Sequence, residues 1–282
     1  MGFKDILLVL TTYPDPTPVS AVDEPIAFAV AVGSRISAIA CEVKFRAPPN
    51  ILAGALLDVP AMVAAETKKS SSNAEKLLVA FQSSAEKLGV FQERIVEHCL
   101  TSEAPDVLVE HARLRDLTIV PVAEGDSLQQ RYAESIIFGS GRPALITPHA
   151  RKHAGQFALN TVVVAWDFSR PAARAVADAL PILEKAKRVC VVTVTNEKAM
   201  DAKRSGAELA KHLAHHGVEV VLDTVDAAGR GIGAVLESYV TSNNADILVM
   251  GAYGHTRIRD FILGGATKRM LSKPLLPIFL SH

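Results

Sequence analysis

The chain has 282 residues, and its 30 basic and 30 acidic side chains give a formal net charge of zero. This balance argues against a partner that is recognised through overall charge, such as nucleic acid or an anionic membrane surface. The length suits two ordinary domains, and the apolar run at residues 6–10 is too short for a membrane span or a signal peptide. We therefore expect a cytoplasmic protein with neither a nucleic-acid nor a membrane partner.

Three cysteines lie in or beside apolar, strand-like runs: Cys41, Cys99 and Cys190. Their spacing does not match a metal-binding motif. Free cysteine behaves as a small apolar residue and is often buried, so we expect three reduced core residues. This expectation also favours the cytoplasm.

In chain order, the first half contains five strand-like runs: DILLVL, RISAIACEV, GVFQERIVE, LRDLTIVPVAE and RPALITP. The second half repeats them in the same order as TVVVAWDFS, RVCVVTV, GVEVVLDTV, NADILVMGAYG and LPIFLSH. An internal repeat predicts two domains built alike, which we place at residues 1–150 and 151–282. The joint between them is expected in the polar, basic segment 148–157.

Strand and helix candidates alternate through the second half. After the strand VVVAW, Ser169 is a typical N-cap and Pro171 suits the first turn of a helix. Three further helices are predicted: one that ends at Gly217, one over residues 232–240, and a short one from about Gly265. Five short, β-branched strands with crossover helices predict a parallel, doubly wound sheet.

The predicted fold class is α/β, with two tandem Rossmann-like domains, each a five-stranded parallel sheet of order 3-2-1-4-5 flanked by helices. Ligands bind such sheets beyond the carboxyl ends of the strands, at the point where the strand order reverses. Here that point lies between the first and fourth strands. Asp167, after the first strand, and Gly251, after the fourth, are therefore expected to face one crevice.

The loop after the fourth strand carries a spaced glycine pattern. Gly251, two residues, Gly254, nine residues and Gly264 follow one another, and Gly265 comes next. Together with AWDFS at the end of the first strand, this pattern resembles the tandem universal stress protein family, whose α/β domains bind adenine nucleotides. The resemblance covers the whole chain and is strongest in the second half. In that family Ser or Thr stands at the position of Gly265.

The resemblance implies a universal stress protein-like protein that holds ATP or another adenine nucleotide in its second domain, with or without Mg. It also implies a role in stress response or signalling, and a homodimer. Asp167 matches the aspartate that ends the first strand in the ATP-binding branch of the family. The departure at Gly265 removes a hydroxyl contact to phosphate and lowers the expected affinity.

Physical roles can be given to these residues. Gly251 and Gly254 would let the backbone approach a ribose or phosphate, where a Cβ would collide. The next helix would offer its free N–H groups and dipole to phosphate. Asp167 would accept from an adenine amino group or ribose hydroxyls, and the main chain of Val194 would meet the base edge. The predicted nucleotide-binding residues are Ala165, Trp166, Asp167, Val194, Gly251, Gly254, His255, Gly264, Gly265, Ala266 and Thr267.

Structural alternatives stand beside these roles. The glycines at 251 and 254 suit a tight strand exit as well, and Asp167 suits a helix cap shared with Ser169. His212 and His216, four residues apart, suit either a metal ion or solvated charges near a helix end, and we favour the second. His255 suits a phosphate contact or plain solvent exposure. We predict no metal site.

The first half repeats the fold without the glycine pattern. Alignment of the strand starts places Thr11 where Asp167 stands, Pro121 in place of Gly251, and Glu124 in place of Gly254. Proline restricts the backbone, and a carboxylate repels phosphate, so we expect this half to be a scaffold. Residues 44–66 have no counterpart in the second half, and we expect them to cover a groove or to contact a partner.

Two classes of function follow. The first is a nucleotide-responsive binding or signalling protein. The second is an enzyme, either a slow ATPase or an adenylate-handling transferase. The sequence shows no Walker lysine and no nucleophile next to a base, so we favour binding and predict no catalytic residue. A nucleotide-free oligomeric scaffold is the third alternative, kept open by Gly265.

Overall fold

The computed structural model describes residues 2–45, 59–149, 157–195, 206–252 and 265–282. The elements of the first half are β1 (Asp5–Leu10), a 3-10 turn (Val19–Val22), α1 (Asp23–Val32), β2 (Arg35–Lys44), α2 (Val59–Lys87), β3 (Phe91–Leu100), α3 (Ala104–Arg113), β4 (Leu117–Val122), α4 (Ser127–Gly139) and β5 (Ala144–Pro148). Those of the second half are β6 (Thr161–Ala165), α5 (Arg170–Leu183), β7 (Arg188–Thr195), α6 (Gly206–Ala214), β8 (Val220–Asp226), α7 (Ile232–Ser242), β9 (Ile247–Gly251), α8 (Gly265–Ser272) and β10 (Ile278–Ser281).

All ten strands form one sheet, in the order β3-β2-β1-β4-β5-β10-β9-β6-β7-β8. The pairs within each half are parallel, and each half has the order 3-2-1-4-5, so the predicted α/β class is confirmed. The halves meet through an antiparallel pair in which Ile146 of β5 lies opposite Ile278 of β10. We had expected two separate sheets. The pairing satisfies the backbone of the last strand of each half, which would otherwise be an open edge.

Two helical layers cover the sheet, and each layer continues across both halves. Along β1, Ile6 and Leu8 belong to the buried cluster that includes residues of α1, α2, α5 and α6, whereas Leu7 and Val9 belong to the cluster that includes residues of α3, α4, α7 and α8. Burial on both faces explains the unbroken apolar run at β1, because alternate side chains enter opposite layers. Each such side chain stabilises the fold by roughly 1.5–3 kcal/mol.

Contacts between the halves extend beyond the strand pair. The rings of Phe3 and Phe279 lie 6.1 Å apart, and those of Phe28 and Phe157 lie 5.3 Å apart. Phe157 belongs to the predicted joint, of which residues 150–156 lie outside the described part of the chain. The predicted boundary at residue 150 therefore stays a prediction.

The three cysteines, Cys41, Cys99 and Cys190, are free and buried, as predicted. The neighbouring Cys99 thiol, together with burial, raises the pKa of Cys41 and keeps that thiol protonated. Within the described ranges, no helix is both long enough and apolar enough to cross a membrane. The longest helix, α2, is rich in serine and lysine.

Candidate nucleotide-binding site

The candidate site begins where β6 ends. Val164 lies opposite Val249 of β9, and two further residues in this register bring Trp166 level with Gly251. The N–H of Trp166 donates to the carbonyl of Val192 at 2.9 Å, which holds the chain along β7 just beyond the end of β6. Asp167 then leaves the sheet beside the end of β9, as the predicted strand order requires.

The next residues start helix α5. The Asp167 Oδ1 atom accepts a hydrogen bond from the N–H of Ser169 at 3.0 Å, and the Ser169 Oγ atom accepts one from the N–H of Ala172 at 3.2 Å. Ser169 is therefore the N-cap, as predicted, and Asp167 braces the turn one step earlier. Asp167 is exposed, so bracing leaves its carboxylate accessible from solvent.

Gly251 is required by the fold itself. A Cβ atom at this position would lie 2.4 Å from the N atom of Ala172, 2.5 Å from the carbonyl carbon of Pro171 and 2.8 Å from the Cβ atom of Pro171. Side chains essentially never approach so closely. The first turn of α5 thus rests directly on the end of β9. The sequence predicted close backbone approach at Gly251, but the described neighbour is the protein's own helix.

The first turn of α8 is the other part of the predicted site. Gly265 is exposed, and a Cβ atom there would meet no atom of the described residues within 4 Å. Ala266 is half-buried, whereas Thr267 is only 3% exposed and packs in the core layer. Thr267 is one of the predicted nucleotide-binding residues, and its burial leaves little of the side chain accessible to a ligand. Its backbone N–H remains in the first turn of α8.

Two other predicted residues flank the ends of the strands. Ala165 is half-buried and pairs with Val192 of β7. Val194, also half-buried, lies near the end of β7 opposite Val225 of β8. The remaining predicted contacts lie outside the described residues: Gly254, His255 and Gly264.

Comparison with known proteins relates the second half of the chain to a family. The model of the universal stress protein family matches residues 159–278. Residues 159–278 thus form a universal stress protein domain. This range includes β6, β9 and α8.

Solved structures are similar over both halves. A universal stress protein from Archaeoglobus fulgidus DSM 4304 shares 15% identity at a TM-score of 0.70, with 98% of this chain and 95% of that chain covered. A putative universal stress protein from Pseudomonas aeruginosa UCBPP-PA14 shares 14% identity at a TM-score of 0.56, with coverage of 99% and 93%. Identities this low establish the fold alone. Among curated proteins, no sequence matches this chain.

The first half shares the fold, and its strand register fixes which residues correspond. Ile6 pairs with Leu117, just as Val162 pairs with Ile247 in the universal stress protein domain. Counting four residues along β4 from Leu117 gives Pro121 as the equivalent of Gly251. Counting five residues from Ile6 makes Thr11 the equivalent of Asp167, which lies five residues after Val162, so the register supports the sequence alignment.

In the first half, helix α2 is hydrogen-bonded to the chain that leaves β1. The Thr12 Oγ1 atom donates to the carbonyl of Cys41 at 2.6 Å and lies 2.8 Å from the Oγ atom of Ser70. The Asn73 side-chain amide donates to the carbonyl of Thr12 at 2.9 Å. Ser70 is fully buried, so α2 is fixed over the chain that leaves β1. Sequence reasoning missed this cluster, although the polar run SSSN at 70–73 inside a helix was a signal for it.

Part of the unmatched segment 44–66 is also described. Its last residues form the start of α2, and Phe45 packs edge-to-face on Tyr13 at a ring distance of 4.7 Å. Residues 46–58 lie outside the described ranges. The expectation that this segment covers a groove or contacts a partner therefore stays a prediction.

The histidines of α6 lie on the surface. The rings of His212 and His216 are 5.0 Å apart, and both side chains are exposed. In the part of the chain that the structure covers, no three His, Cys, Asp or Glu side chains are grouped to hold a metal ion. His212 lies in the last turn of α6 and His216 lies two residues beyond its end.

Proposed function

We propose that the universal stress protein domain binds an adenine nucleotide, ATP in the first place, in the crevice between β6, β9 and the first turn of α8. The observation that carries this proposal is the convergence of Asp167 and Gly251 at the point where the strand order reverses. The bound nucleotide would set the choice of partner in stress response or signalling. We place the protein in the cytoplasm.

Three groups would share the ligand. The exposed carboxylate of Asp167 would accept from an adenine amino group or the ribose hydroxyls. The main chain of Val194, at the end of the neighbouring strand, would meet the edge of the base. The first turn of α8 is open at Gly265, and its N–H groups would receive phosphate.

A divalent cation would enter with the nucleotide. Mg²⁺ is usually held by phosphate oxygens and water together with one or two carboxylates, and it does not need a cage of protein ligands. The crevice supplies one described carboxylate, that of Asp167. We propose Mg²⁺ as a companion of the phosphates and not as a resident ion.

Binding, and not turnover, is the proposed activity. Phosphoryl transfer requires a cradle for the phosphates with a lysine and a group that orients the attacking nucleophile. The sequence contains no Walker motif. Any hydrolysis should therefore be far slower than the roughly 10 per second of a median enzyme.

Two observations favour a second candidate, an oligomeric scaffold that holds no nucleotide. Gly251 is needed for contact with α5 whether or not a ligand is present, and Gly265 lacks the hydroxyl that the family pattern provides. Both features suit a domain that has kept its packing and lost its ligand.

Calorimetric titration of the full chain with ATP separates the two candidates. We expect one site per chain, because the first half has Thr11 and Pro121 at the corresponding positions and α2 fixed over the chain that leaves β1. Thr11→Ala is the matched control and should leave binding unchanged. Two sites per chain, or loss of binding in Thr11→Ala, would contradict the assignment, and no heat of binding would favour the scaffold. A multiple-turnover assay of phosphate release tests the absence of catalysis.

A further inference from the structure

Phe168, between Asp167 and Ser169, has two features that a folded protein normally avoids. Its side chain is 47% exposed, the most of any phenylalanine in the described part of the chain. Its backbone φ is 61°, in the left-handed region that favours glycine. Both features are unfavourable for folding. Such a residue at the edge of a crevice suggests a function that outweighs the strain.

Trp166 holds the exposed ring. Its own side chain is only 8% exposed and packs in the core layer of α5 and α6. The two ring centroids are 5.8 Å apart with the planes at 77°, so the rings meet edge-to-face. The indole N–H of Trp166 is buried and has no hydrogen-bond partner within the described ranges. Packing therefore fixes Trp166, and Trp166 fixes the position of Phe168.

The first half supplies a comparison within the same molecule. The register that equates Ile6 with Val162 makes Thr12 the equivalent of Phe168. Thr12 is 2% exposed and is hydrogen-bonded to Ser70 of α2. The exposed aromatic ring thus occurs in the half that carries the glycine pattern, whereas the equivalent residue of the other half is a buried threonine fixed by α2.

We propose that Phe168 stacks on the base of the bound nucleotide and that Trp166 positions its ring. This inference rests on the proposed function. Phe168 adjoins Asp167, whose carboxylate is proposed for the base or the ribose, so its ring lies within reach of the base. Base-aromatic stacking is tolerant of sequence and depends on the planar ring of the ligand. Phe168 would therefore select ligands with a base over ligands that offer phosphate alone.

Replacement by glycine gives opposite predictions for folding and for binding. Phe168→Gly removes the strain of a left-handed phenylalanine, so its thermal midpoint should equal or exceed that of the unaltered chain. Its affinity for ATP should fall about tenfold, because the stacking partner is gone. Phe168→Tyr is the matched control, since it keeps an aromatic ring and should keep the affinity.

Calorimetry measures both variants with ATP and with inorganic tripolyphosphate, and the fluorescence of Trp166, the only tryptophan, reports binding at this position. We expect Phe168→Gly to weaken ATP and to leave tripolyphosphate unchanged. Unchanged ATP affinity in Phe168→Gly would overturn the inference while the proposed function stands. An equal loss for both ligands would also overturn it, because it would indicate a displaced loop. Failure of the unaltered chain to bind ATP would refute the proposed function itself.

Discussion

The contact between Gly251 and helix α5 allows a quantitative test of what the glycine does. In Gly251→Ala, the new Cβ atom would lie within 2.8 Å of three atoms of Pro171 and Ala172, two of which belong to the backbone. Backbone atoms cannot rotate away as a flexible side chain can. The first turn of α5 must therefore shift, and with it Ser169, which caps the helix.

The size of the effect follows from the cost of overpacking. Forcing one methyl group into a closely packed site typically costs about 1–3 kcal/mol, and the upper end applies here because backbone must move. We expect a loss of about 3 kcal/mol in the free energy of unfolding, or a fall of roughly 6 °C in thermal midpoint for a chain of this size. Nucleotide affinity should fall as well, because the shift moves the turn that carries Asp167.

Urea unfolding and calorimetric titration measure the two effects separately. Gly265→Ala is the matched control, because its Cβ atom would meet no atom of the described residues within 4 Å, and it should be as stable as the unaltered chain. If Gly251→Ala unfolds at the same urea concentration as the unaltered chain, the close packing of α5 on β9 is refuted. If stability falls but nucleotide affinity does not, Gly251 serves the fold alone.

Three further predictions test neighbouring residues. Asp167→Ala should weaken ATP binding by about 10- to 100-fold with little loss of stability, and a lower midpoint with unchanged affinity in calorimetry would leave Asp167 only its bracing of the Ser169 turn. Gly265→Ser restores a hydroxyl without a steric conflict and should raise ATP affinity about fivefold in the same titration, whereas no gain would argue against a phosphate contact at this position. Burial holds the pKa of His149 below its ordinary value of 6.5, despite an opposing effect of Asp126. As the pH falls through 6.5, the unfolded chain therefore takes up a proton at His149 while the folded chain does not. Urea unfolding should show that stability declines from pH 7.5 to 5.5. The decline should be shallower in His149→Gln.

Much of the fold was predictable because the same pattern of strands and helices occurs in both halves of the sequence. Five apolar runs recur in one order in both halves, so each half reinforces the interpretation of the other. The meeting of Asp167 with the end of β9 followed from topology alone, since only the order 3-2-1-4-5 was needed. The cap at Ser169 is a local feature, and a local pattern of residue types was enough to predict it.

Two contacts were not predicted: the packing of α5 on Gly251 and the pairing of β5 with β10. Both join residues that are far apart in the sequence. A glycine in a sequence indicates that another group lies close to the backbone, but it does not identify that group. The contact between Gly251 and helix α5 could therefore not be predicted. Strands β5 and β10 would have the same apolar pattern at the edge of a sheet as in the middle of one. Their sequences therefore did not reveal that they pair with each other. The burial of Thr267 was predictable, because Met270 and Leu271 lie three and four residues further along the same helical face.

The joint between the halves constrains any homodimer. Strands β5 and β10 pair with each other, so neither offers a free edge to a second copy. The edges of the ten-stranded sheet are β3 and β8, and both carry many exposed residues. The predicted homodimer stays a proposal, and among the strand edges of the described sheet only β3 and β8 are open to a second copy.

The half without the glycine pattern also supports the half that has it. The N–H of Gly125, after β4, donates to the carbonyl of Ser272 at the end of α8 at 2.9 Å, and Glu124 pairs with Lys273 at 2.9 Å. Helix α8 has eight residues, too few to be stable in isolation, so its order depends on such docking. An exposed ion pair contributes at most about 1 kcal/mol, and the backbone bond adds a similar amount. Glu124, which replaces the second glycine of the pattern in the first half, thus contributes at the far end of the helix whose first turn is proposed to hold phosphate. One departure of the first half from the glycine pattern thus contributes to the docking of α8 in the second half.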